Sequence, residues 1–112
     1  MSVDVIRLVK GDERPFIILT LTDDITNSPV DLSAATTTVF MRFREAGTTN
    51  TPVTIPCNKL TTGADGKVVF NFTGGELDVP AGSYEGEVVI DYDGQTETLY
   101  DILRFRVRES FE

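Results

Sequence analysis

The chain has no histidine, no tryptophan and a single cysteine, Cys57. Without histidine there is no base for a Ser-His-Asp or Cys-His arrangement, and no imidazole to hold a metal. One cysteine can close no intrachain disulfide and build no thiolate zinc site. Following Pro56 in a β-type run, Cys57 reads as a small buried hydrophobe rather than a reactive thiol. No apolar run approaches the roughly 18 residues of a membrane span, and "GADGKV" at 63–68 lacks the spacing of a phosphate loop. Basic residues are also scarce. Ten Lys and Arg stand against eighteen Asp and Glu, a net charge of −8 with an isoelectric point near 4.4. That balance argues against nucleic acid, which needs a basic footprint, and against an anionic membrane surface. The N-terminal "MSVDVIRLVKGDERP" carries no apolar signal segment, so synthesis in a cytoplasm is expected. The sequon Asn71-Phe72-Thr73 then carries little weight.

What the chain does have is β patterning. At 112 residues one domain over 1–112 is expected, with enough buried surface for one core. Gly, Pro, Asn and Asp recur between runs rich in Val, Ile, Thr and Phe, and no segment keeps a helical period. Strands are predicted near 3–9, 15–22, 36–44, 53–60, 67–73, 83–92 and 95–108. About seven short strands at this spacing predict an all-β, immunoglobulin-like antiparallel β-sandwich without a disulfide. The stretch "DVPAGSYEGEVVIDYDGQ" at 78–95 sharpens the expectation. Asp78, Gly82 and Tyr84 fit a tyrosine corner, in which a Tyr at the start of the sixth strand bonds back to the preceding corner. The cysteine usual in such folds would fall at Gly86. Asp93-Gly94 predicts the tight turn of the last hairpin.

Side chains alternate faces along a strand, so the charges can be placed. With Val39, Met41 and Phe43 inward, Arg42 and Arg44 point out. With Val88, Ile90 and Tyr92 inward, Glu85, Glu87 and Asp91 point out. With Leu103, Phe105 and Val107 inward, Arg104, Arg106 and Arg108 point out. An acidic strand is thus expected between two arginine strands on one exposed face, either as a ladder of cross-strand ion pairs or as a partner-binding surface.

Asp23-Asp24 and Asp91-x-Asp93-Gly94 are carboxylate pairs at turns, where Asp caps the local backbone; a weak calcium site at Asp91 and Asp93 is the alternative. Lys10-Gly11-Asp12 reads as a turn into the second strand. Phe16, Phe40, Tyr100 and Phe111 fall outside the inward phases and are the few aromatics available to a sugar. No cofactor and no enzymatic activity are expected.

Four segments carry a resemblance: "VIRLVKGDERPFIILTLTD" (5–23), "PVDLSAATTTVFMRFR" (29–44), "GKVVFNF" (66–72) and "DVPAGSYEGEVVIDYDGQTETL" (78–99). The chain resembles an immunoglobulin-like domain family of tailed-bacteriophage virion proteins that includes the N-terminal domain of baseplate upper proteins. The marks are Lys10-Gly11-Asp12, Val30-Asp31-Leu32-Ser33 and Pro80-Ala81-Gly82-x-Tyr84. The resemblance implies a non-enzymatic structural subunit, made in the host bacterial cytoplasm and found in the virion. Its partners would be other virion proteins of the capsid, tail or baseplate, with the chain oligomeric or bound to a lattice. Baseplate members continue into further domains where this chain stops, so a small stand-alone subunit on the tail, on the neck or, as a decoration protein, on the capsid surface is expected. A glycan- or receptor-binding module on the virion surface and a cytoplasmic inhibitor remain the alternatives.

Overall fold

The computed structural model describes residues 5–23, 25–49, 52–99 and 102–111. It is all β, with no helix among these residues. Eight strands follow in chain order: β1 (Val5–Val9), β2 (Ile17–Thr20), β3 (Thr37–Glu45), β4 (Val53–Lys59), β5 (Lys67–Phe70), β6 (Gly82–Tyr92), β7 (Gln95–Thr98) and β8 (Leu103–Arg108). They form one curled path in the order β1-β8-β6-β3-β4-β5-β2, with β7 also on β6. The curl closes around the apolar side chains, as a half-barrel does.

Two features depart from the expected arrangement. The sheet is mixed, not purely antiparallel, because β1 runs parallel to β8 from Val5↔Arg104 to Val9↔Arg108. A parallel pair needs a long connection, and here almost the whole chain lies between the two strands. The expected strand at 95–108 is also divided. β7 pairs with the far half of β6 and β8 with its near half. Leu99 N–H still donates to Val88 O at 2.9 Å past the end of β7.

β4 joins the two sides of the curl. Its first five residues pair with β3 and its last two with β5. Ile55 and Cys57 point in, while Pro56 between them is exposed. Over Val53–Cys57 β4 has β3 on one side only, a setting in which a strand tolerates proline. Loop residues complete the core. Leu32 and Leu77 are fully buried, and Leu32 N–H donates to Gly63 O at 2.8 Å. Gly63 has φ +99°, and a Cβ there would stand 2.7 Å from Leu32 O, so only glycine allows this approach.

The inward phases are those the alternation predicts. Val39, Met41, Phe43, Val68, Phe70, Phe72, Val88, Ile90, Phe105 and Val107 are buried in one cluster. Phe43 is its aromatic centre. It stacks on Tyr84 with centroids 5.2 Å apart and meets Phe72 and Phe105 edge-on at 5.9 and 5.2 Å, geometries favourable beyond simple burial. Gly86 lies against this centre: a Cβ would come within 2.7 Å of Met41 Sδ and 3.1 Å of Phe105. The space a cysteine would occupy is filled by a flexible thioether and a ring. Cys57 is buried and free.

Tyr84 bonds back to the segment that precedes β6. Tyr84 is buried, and its hydroxyl donates to Pro80 O at 2.6 Å. Gly82 enters the strand with φ +154°. Asp78 is exposed and its N–H donates to Gly75 O at 3.1 Å, so it shapes the preceding turn rather than the tyrosine bond.

Tyr84→Phe is expected to lower the unfolding free energy by about 1 kcal/mol while leaving the denaturant slope unchanged; an unaltered midpoint in urea would show that the hydroxyl bond contributes nothing. A second expectation concerns alkaline pH. Burial pushes the Cys57 thiol from 9.0 up to about 12, and burial also raises the Tyr84 and Tyr92 hydroxyls. Groups raised in the folded state favour unfolding once the unfolded chain ionises. Stability is therefore full below about pH 9 and falls as pH rises toward about 12. Cys57→Ala would remove the cysteine's share of that fall, measurable by denaturant titrations at several pH values.

Candidate interaction face

The outer surface of β1, β8, β6 and β3 is built by one register. β3 and β6 pair over nine positions from Thr37↔Tyr92 to Glu45↔Tyr84. Because inward residues alternate with outward ones, the register that sets Met41 against Val88 also sets Arg42 against Glu87 and Arg44 against Glu85. Both outward pairs are ion pairs. Arg42 Nη1 lies 3.1 Å from Glu87 Oε1, and Arg44 Nε lies 3.1 Å from Glu85 Oε1. The Glu85 side chain is 19% exposed, against 42% for Arg44. Arg42 also sits 5.5 Å from the centroid of the half-buried Phe40 ring. Pairs this open to solvent contribute about 0–1 kcal/mol each. A shallow groove runs between them, walled by Pro52 and Ile102 and floored by Gly86.

The expected ladder is shorter than the sequence implied. Arg104 is in register with Glu85, but Glu85 is taken by Arg44, and no ion pair to Arg104 forms among the described residues. Arg106 Nη1 donates to Ser83 Oγ at 3.0 Å. Arg108 Nη1 donates to Glu109 O at 2.9 Å and lies 5.2 Å from the Phe111 ring. Asp91 points to this face but belongs to the hairpin turn. Its Oδ1 accepts from Gly94 N–H at 2.7 Å, with Asp93 at φ +56°.

One residue joins the face that strand patterning alone did not place there. Arg7 is exposed on β1 opposite Arg106. The alternation of Ile6 and Leu8 with Val5 and Arg7 was visible in the sequence, but the parallel pairing with β8 was not. Val89 lies on the outward phase, in register with Phe40 and Thr98, yet it is 1% exposed and sits outside the main core cluster.

The other sequence candidates resolve into local structure. Asp23 Oδ1 accepts from Ile25 and Thr26 N–H at 2.8 and 3.2 Å; Asp24 lies outside the described residues. Lys10-Gly11-Asp12 forms the turn, with Lys10 N–H donating to Arg108 O and Gly11 N–H to Leu77 O. Phe16 is 67% and Phe111 99% exposed, on separate parts of the molecule; Tyr100 lies outside the described residues. Among the described residues no group of three or more His, Cys, Asp or Glu is placed to hold a metal ion. No protein-family model matches the chain, and no curated protein matches it in sequence.

Arg106→Glu exchanges a like-charge opposition to Arg7 for an opposite-charge one. It is expected to leave the unfolding free energy unchanged or to raise it by about 0.2–1 kcal/mol. A loss larger than that in a urea titration would mean that the Ser83 bond, not Arg7, dominates this side chain's energetics.

Proposed function

We propose that the chain is a non-enzymatic structural subunit of a tailed-phage virion, docking through the outer face of β3, β6 and β8 onto a repeated surface of the particle. Its architecture in this reading is an immunoglobulin-like sandwich in which β4 passes from one sheet to the other. Three observations support that architecture: the Tyr84 corner bond, β6 lying between β3 and β7/β8, and β2 paired with β5.

The observation that carries the docking reading is the exposed run of arginines on a continuous sheet. Arg42 and Arg44 remain more than two-fifths exposed even while paired. Arginine is enriched in protein interfaces because its planar fork bonds carboxylates in pairs and sheds water readily. The surface between the pairs is a shallow groove rather than a pocket, and suits a flat protein contact better than a small ligand.

The test has two arms. Quantitative mass spectrometry of purified virions of the encoding phage should find the chain at a fixed copy number set by the particle's symmetry. Virions assembled with Arg42→Glu/Arg44→Glu should lack it, although the purified variant still unfolds cooperatively. Absence of the wild-type chain from particles overturns the virion reading. Normal incorporation of the variant moves the contact off this face.

A further inference from the structure

Cross-strand neighbours of like charge oppose folding, yet β1 and β8 place Arg7 beside Arg106, with Arg104 two residues away on the same face. These three side chains line one concavity together with Val5, Ala46 and Ser83. Among the described residues no carboxylate lies within ion-pair distance of any of them. Guanidiniums gathered around a partly apolar hollow are suited to carboxylates, which they bind through paired hydrogen bonds.

The other end of β6 carries the opposite charge. A second concavity lies beside Tyr92 and β7 and is lined by Asp23, Asp31 and Glu97, with no lysine or arginine among its described lining residues. Asp31 is held below the usual carboxylate range by its hydrogen bonds with Ser33, so it stays charged well below neutral pH. Ser83 borders the basic hollow and Tyr92 the acidic one. Nine strand steps separate them along β6, about 30 Å, on a body whose longest extent is 43 Å. One molecule therefore carries two complementary, non-overlapping surfaces at opposite ends.

We infer that copies of this chain associate head to tail, the acidic end of one seated in the arginine hollow of the next. Two different surfaces meeting in this way make a heterologous contact, which closes into a ring or extends as a row. The inference rests on the docking reading and names a partner for the basic end of the face. The net charge of −8 opposes the approach of two copies. At about 0.1 M salt, where the Debye length is about 10 Å, that long-range repulsion is largely screened while contacting pairs persist.

Sedimentation velocity of the purified chain tests it. At about 0.1 M salt the weight-average mass should rise with protein concentration, and at about 1 M, where the Debye length is about 3 Å, the chain should be monomeric. Arg7→Gln/Arg106→Gln and Asp31→Asn/Glu97→Gln, which neutralise one end without reversing it, should each be monomeric at about 0.1 M with cooperative unfolding retained. An equimolar mixture of the two variants should form dimers and nothing larger, because each keeps one intact end. A wild-type chain that stays monomeric at its highest soluble concentration overturns the inference. So does association that survives either variant, or a mixture that stays monomeric. If particle incorporation still depends on Arg42 and Arg44 in that case, the docking reading stands without self-association.

Discussion

The nine-position pairing of β3 with β6 is the constraint on which both faces of this molecule depend. On the inner side it brings Val39 to Ile90, Met41 to Val88 and Phe43 to Gly86, the middle of the core. On the outer side it brings Phe40 to Val89, Arg42 to Glu87 and Arg44 to Glu85. Side chains alternate with a period of two, so a slip of one residue would send the apolar set to water and the arginines into the core. Burial of Met41, Phe43, Val88 and Ile90 thus specifies the ion pairs, which are far too weak to specify themselves.

The core around that pairing is closed by aromatic packing and one hydrogen bond rather than by a covalent link. Phe43 holds Tyr84 face to face and Phe105 edge-on, and the Tyr84 hydroxyl ties β6 back to Pro80. Met41 and Phe105 occupy the space over Gly86. The result is a β domain that needs no oxidising compartment for its stability. Its one thiol is buried, and that burial raises its pKa to about 12 and so disfavours the thiolate.

Charge is distributed unevenly over this frame. Six of the ten basic residues, Arg7, Arg42, Arg44, Arg104, Arg106 and Arg108, lie on the outer side of β1, β8 and β3. Acidic residues dominate the far end, in the loops beside Tyr92. A surface dominated by one charge keeps a protein soluble, while a concentrated patch of the other sign directs which surface it meets. The docking and head-to-tail readings both draw on this asymmetry.

Most strand positions (the division of the last one into β7 and β8 excepted), the inward phases, the Tyr84 bond back to Pro80, the Asp93-Gly94 turn and the outward arginines were legible in the sequence, because each follows from local rules: period-two alternation, turn chemistry and the fixed direction of side chains on a pleat. What tertiary structure alone decided are the non-local partnerships. Arg7 meets Arg106 because β1 lies parallel to β8, a pairing between ends of the chain that no local pattern encodes. Arg104 loses Glu85 to Arg44, since one carboxylate between two guanidiniums is shared according to side-chain geometry rather than register. Leu32 and Leu77 become core residues only when loops fold over the open ends of the curl. Alternation along a strand is set by the backbone of that strand, whereas its neighbours are set by how the whole apolar surface closes.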